Sequence, residues 1–186
     1  MAAAIGGLNF AASAQVDPGV VSGFLDSAKA SSDSQLGSIA SELTGKVEEL
    51  ASSSQALKAP LESTLKSLTG GADSEGLTSA YNLVKGAKLT PEQLGLAKQV
   101  GNLTSAFVVQ KNFASLEGAQ GDVANIVKSL RQGNVTEAVP AIKNVTGNAH
   151  LTDGQKQLIT TVGNKYVPGW EKAKGAMDGL KKLPGL

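Results

Sequence analysis

The chain has 186 residues, 41% hydrophobic but only 4% aromatic, and its 17 Lys and Arg nearly cancel its 16 Asp and Glu to leave +1. That length fits one domain or one repeat array, and the charge balance calls for no polyanionic partner such as a nucleic acid. With no Cys and a single His, the sequence excludes disulfides, thiolate nucleophiles, Cys-ligated metal centres and any site that needs two imidazoles.

Residues 1–15 are uncharged and mostly small or apolar, and Ala12-Ser13-Ala14 fits the small-x-small pattern that signal peptidase reads. The basic segment that normally precedes such a pattern is missing. The stretch reads as an export-signal remnant or an unstructured leader, with export to a periplasm, an organelle lumen or the exterior favoured over a cytoplasmic location. No window reaches the roughly 18 consecutive apolar residues of a membrane-spanning helix.

From residue 16 onward helical spacing dominates. Leu36, Ile39, Ala40, Leu43, Val47 and Leu50 form one apolar stripe at 3.6-residue periodicity. Leu57, Leu61, Leu65 and Leu68 form a second, with Pro60 tolerable only in its first turn. Leu77, Ala80, Tyr81 and Val84 form a third. Leu94, Ala97, Val100, Thr104, Phe107 and Val108 line one side of a longer helix. Val123, Ile126, Val127 and Leu130 follow, ended by Gly133. Val139, Ile142 and Val145 mark a helix with Pro140 near its start, and Leu158, Ile159 and Val162 mark the next. Trp170, Ala173, Met177 and Leu180 mark the last. No stretch alternates with period two, so the expected fold is all-α, with eight or nine short helices.

The helix starts recur. Ser32-x-x-Gln35, Thr90-x-x-Gln93 and Thr152-x-x-Gln155 each have the S/T-x-x-Q form of a capping box, in which a hydroxyl and a Gln amide satisfy backbone N–H groups reciprocally. Leu89-Thr90 and Val100-Gly101-Asn102 match Leu151-Thr152 and Val162-Gly163-Asn164 at a constant offset of 62 residues. Leu65-Lys-Ser-Leu68, Val127-Lys-Ser-Leu130 and Leu180-Lys-Lys-Leu183 each close a helix. These recurrences predict three tandem related three-helix units, 16–72, 73–134 and 135–186, bounded by Gly70-Gly71 and Gly133-Asn134 and stacked as a short solenoid or a closed bundle.

Candidate chemistry is sparse. His150 stands in the loop before a helix start, where the matching position of the preceding unit holds Lys88; it reads as a solvated loop residue. Glu48 and Glu49 point about 100° apart on a helix, poor geometry for a shared proton or metal. Asp73-Ser-Glu75 lacks the Gly and the terminal Glu of a calcium loop and reads as a solvated face. Phosphate-cradling loops and nucleophile elbows are absent, and one Arg with seven aromatics argues against nucleic-acid binding. No catalytic residue, cofactor or metal is expected.

The predicted function is therefore a non-catalytic helical interaction or structural protein, a scaffold or subunit of a larger assembly whose partner is another protein or a second copy. The alternative is a carrier that holds an apolar ligand between helices, or a membrane-surface protein docking through its last helix. There Trp170 and Met177 supply the apolar stripe, and Lys172, Lys174, Lys181 and Lys182 flank it; residues 165–186 hold five Lys against two acids.

Overall fold

A computed structural model of the protein describes residues 15–85, 88–167 and 169–170. Among the described residues the fold is all-α, with eight helices: α1 (Pro18–Lys29), α2 (Ser34–Ser53), α3 (Lys58–Thr69), α4 (Asp73–Asn82), α5 (Pro91–Phe113), α6 (Gln120–Arg131), α7 (Val135–Thr146) and α8 (Asp153–Tyr166). A single 3₁₀ turn, Gln55–Leu57, leads into α3.

The stripes predicted for α2, α3 and α6 are buried as complete sets. α1 has no counterpart among the predicted stripes. It buries Phe24 and Ala28 and leaves Val20, Val21 and Leu25 half-covered, so its apolar face is narrow. Its signal lay in Asp17-Pro18: Asp17 accepts from the Gly19 amide at 2.7 Å, and Pro18 sits at the first helical position, where its missing N–H costs nothing.

α5 departs most from expectation. The sequence predicts one apolar side; in the fold, all eight residues from Leu103 to Gln110 are buried. Eight residues span more than two turns and so point in every direction around the axis. α2, α4, α6 and α8 all pack against this helix, which makes the molecule a bundle around a central rod rather than an open solenoid. α2 and α8 both run antiparallel to it. At α2 the two ends are fixed by Gln110 Nε2 donating to Asp33 Oδ2 (2.5 Å) and Gln93 Nε2 donating to the Ser53 carbonyl (2.8 Å). At α8 Gln155 Nε2 donates to the Asn112 carbonyl (2.6 Å) and the Tyr166 hydroxyl to Asn102 Oδ1 (3.0 Å). Phe24 of α1 meets Phe107 of α5 with ring centroids 5.0 Å apart.

Two of the three capping boxes form as predicted. Thr90 and Thr152 each accept from the Gln amide three residues on, and Gln93 and Gln155 each accept from the cap amide. The first box shifts by one residue: Asp33, not Ser32, caps α2, accepting from the Gln35 amide at 2.8 Å. The physical reason is tertiary. Asp33 caps with one carboxylate oxygen and receives Gln110 with the other, so one side chain both starts α2 and ties it to the end of α5. Gln93 and Gln155 thus serve twice, holding their own helix start and tying it to the end of the preceding long helix. Replacing either with Ala is expected to lower stability by about 1–2 kcal/mol in urea unfolding, for two lost bonds, whereas Gln35→Ala is expected to change it by under about 0.5 kcal/mol.

Both predicted boundaries are turns of one kind. Gly71 and Gly133 adopt φ of +79° and +75°, which side chains resist, and the next amide closes back five residues: Ala72 to the Ser67 carbonyl (2.8 Å) and Asn134 to the Ser129 carbonyl (2.9 Å). Donors and acceptors again lie 62 residues apart.

Two further expectations are corrected. Pro140 is the sixth residue of α7, inside the helix, where it removes one N–H donor and displaces the Thr136 carbonyl from its usual partner. Asp73 is not on a solvated face. It is 6% exposed and accepts from Lys111 Nζ and Asn112 Nδ2, both at 2.9 Å, so the start of α4 is pinned to the end of α5 by an ion pair whose acid is buried and whose Lys111 reaches solvent. Residues 1–14, and with them the Ala12-Ser13-Ala14 reading, lie outside the described residues.

Candidate functional site

Trp170 is the one predicted docking residue within the described part of the chain, and it belongs to the core. It is 2% exposed and lies against Gly163 of α8 so closely that a Cβ there would stand 2.5 Å from its Cε2. Lys172, Lys174, Met177, Lys181 and Lys182 lie outside the described residues. His150 is exposed in the α7–α8 loop, its backbone amide donating to Asn148 Oδ1 (2.8 Å). Glu48 and Glu49 are exposed, and Glu49 pairs with Lys46 at 2.7 Å. Among the described residues no helix is long and apolar enough to cross a membrane, and no three His, Asp or Glu side chains converge where they could hold a metal.

The polar groups that do converge come from α4, α5 and α8. The fold brings the two tyrosines of the chain together, with Tyr81 and Tyr166 edge-to-face and ring centroids 6.1 Å apart. Between them stands Ser105 of α5. Its Oγ lies 2.6 Å from the Tyr81 hydroxyl and 3.1 Å from the Tyr166 hydroxyl, and it donates to the Gly101 carbonyl at 2.8 Å. Tyr166 donates in turn to Asn102 Oδ1. With the Ser105 proton on Gly101 and the Tyr166 proton on Asn102, the Tyr81 hydroxyl donates to Ser105, so no donor in the cluster is idle. Burial pushes the Tyr81 phenol well above its ordinary value, with the neighbouring Tyr166 adding to the effect, and burial pushes Tyr166 up to about 12. Such a cluster holds its protons and supplies no base near neutral pH.

These shifts fix the sign of a pH dependence. The phenols ionise at about 10 in the unfolded chain and higher in the folded one. The stability they contribute is fully present below pH ~10 and is lost as pH rises through the folded values. The urea midpoint is expected to fall between about pH 10 and 12, with phenolate absorbance at 295 nm appearing late in the same window. Tyr166→Phe is expected to make that fall shallower.

Cations surround this cluster. Lys165 Nζ lies over the Tyr81 ring, 5.1 Å from its centroid. Burial lowers the Lys165 pKa first, and the neighbouring Lys85 and Lys98 lower it further. A cavity of about 410 Å³ opens beside them, bounded by Ala80, Ala97, Val135, Gln99, Tyr81 and Tyr166, with Lys98 and Lys165 in its wall.

Adjoining this cavity, two further depressions of about 390 and 490 Å³ share Glu42, Arg131 and Gln132 and form one trough over α2, α5 and α6. Arg131 Nε donates to Glu42 Oε2 (3.1 Å) and Nη2 to Ser38 Oγ (3.1 Å) and to Glu42 Oε1, fastening α6 to α2 across its middle. The Glu42 hydrogen bond raises the Arg131 pKa, so its charge is fixed. Lys46 and Lys128 line the flanks. Gln99, Asn102 and Gly133 line both this trough and the tyrosine cavity.

The periodicities gave no hint of either feature, because each joins residues 24 to 93 positions apart. One signal was available: in a chain this poor in aromatics, tyrosines at Tyr81 and Tyr166, each near the end of a predicted helix, stand out. Comparison with known protein families, curated proteins and solved structures finds no match to this chain.

Proposed function

We propose that this chain is a non-catalytic helical interaction protein, a scaffold or subunit of a larger assembly, which receives a partner segment in the trough over α2, α5 and α6. The trough is the observation that carries the reading. Its lining mixes polar and apolar groups, and its walls are held by the Arg131–Glu42–Ser38 tie between two helices. With Arg131 paired to Glu42 and Lys46 to Glu49, Lys128 leaves the trough one positive charge in excess, which favours a segment that bears a carboxylate. The recurrences at an offset of 62 residues support an origin in related units, whose role is to build this rigid surface.

A photo-crosslinker at Gln132 tests the reading, with one at the exposed Gln157 of α8 as control. The expected result is a discrete adduct from Gln132, with a partner or a second copy, in native extracts. A chain that runs as a free monomer, with no adduct beyond the control, overturns it. Export remains part of the proposal through Ala12-Ser13-Ala14. A cut after Ala14 would spare the buried Val16 and the Asp17 cap, and N-terminal sequencing of the native protein decides it.

A second reading, a carrier holding an apolar ligand between helices, draws on the cavity beside Tyr81 and Tyr166.

A further inference from the structure

We infer that the cavity between α4, α5 and α8 is a binding site for a free organic anion with an apolar body, a single-chain carboxylate, whose headgroup is held by Lys98 and Lys165 with Lys85 nearby. The inference rests on the carrier reading and specifies its ligand.

The size is right for a small ligand, since about 410 Å³ falls within the ordinary range of such sites. The wall is divided by chemistry. Ala80, Ala97 and Val135 present only carbon, and the tyrosine rings add apolar area. The phenol hydroxyls are committed to Ser105 and Asn102 and are not free to recognise a polar ligand. The charge therefore has to be met at the rim, where the groups are cationic. Among the described residues, neither Lys85, Lys98 nor Lys165 forms an ion pair with a carboxylate, whereas Lys46, Lys58, Lys111, Arg131 and Lys156 each do. Lys85 and Lys98 stand close enough to lower the Lys165 pKa, and this repulsion, with no ion pair to offset it among the described residues, raises the free energy of the empty site. An anion relieves that repulsion, and an attached apolar chain gains by leaving water for the wall behind it. A neutral apolar molecule obtains only the second term, and a small inorganic anion only the first.

The full-length protein is titrated calorimetrically with decanoate, 1-decanol and acetate, each below aggregation. Decanoate is expected to saturate at one molecule per chain, at least about tenfold more tightly than decanol, as charge-assisted bonds allow, with acetate giving no saturable heat. Lys98→Gln with Lys165→Gln is expected to weaken decanoate about tenfold or more and to leave decanol unchanged, while Lys46→Gln with Lys128→Gln alters neither. Both lysine pairs are solvent-facing or half-exposed, so the variants remain folded, which circular dichroism verifies. Decanol binding as tightly as decanoate overturns the anion site and leaves the carrier reading standing. Absence of binding by both overturns the two together. Equal loss in the Lys46 and Lys128 pair also overturns the site, reducing it to general surface charge.

Discussion

Ala106→Glu is expected to remove about 4 kcal/mol or more of stability, enough to leave a domain of ordinary stability largely unfolded. Ala106 is fully buried on α5, off the apolar side that the sequence predicts for that helix. If α5 were an ordinary amphipathic helix, a Glu there would face water and cost little. In the bundle it places an unpaired carboxylate among the packed helices that surround the rod. Gln99 provides the control. It lies two turns earlier on nearly the same face, yet it is exposed, because the surrounding helices do not cover that stretch. Gln99→Glu is expected to shift stability by no more than about 0.5 kcal/mol. Urea midpoints of the two variants decide the matter, and a folded Ala106→Glu protein close to wild type would contradict the central position of α5.

Gly163→Leu is expected to cost about 3 kcal/mol and to move the fluorescence of Trp170 to longer wavelength. Three ring atoms of Trp170 would lie within 2.5–2.7 Å of a Cβ at position 163, so the indole has to leave its site. Trp170 is the one tryptophan in the chain, which makes the emission spectrum a direct report. The glycine that matches it by sequence gives the contrast. A Cβ at Gly101 would meet Tyr81 Cδ1 at 3.7 Å, an ordinary contact. Gly101→Ala is therefore expected to be tolerated, and to gain up to about 1 kcal/mol from helix propensity. An unshifted emission maximum in Gly163→Leu would show that Trp170 does not occupy this place.

These two glycines illustrate what could be read in the sequence. The Val-Gly-Asn recurrence correctly marked equivalent stretches of α5 and α8, but not what covers each glycine: Tyr81, twenty residues before one, and Trp170, seven residues after the other. Devices whose partners lie within a few residues were legible. The Thr90 and Thr152 caps and the Gly71 and Gly133 turns are of this kind, because backbone geometry demands those residue types locally. Where a distant group intervenes, local reading fails. Gln110 moves the α2 cap to Asp33, and Lys111 draws Asp73 out of solvent. The same limit hid the candidate surfaces. Tyr81, Ser105 and Tyr166 come from three helices, and Arg131 reaches Glu42 across 89 positions. The all-round burial of α5 was concealed for another reason: Ala106, Ser105 and Gln110 are not large apolar residues, so a pattern of hydrophobicity undercounts the faces that neighbours cover.

The central placement of α5 also governs how the molecule comes apart. A linear array loses its terminal repeats one by one, because each touches only the next. Here a single rod packs along four others and meets α1 through Phe107, so no third of the chain keeps its contacts when the rest opens, and unfolding should be all-or-none. In native-state hydrogen exchange, the amides of residues 103–110 should exchange last, with protection equal to that of the whole molecule.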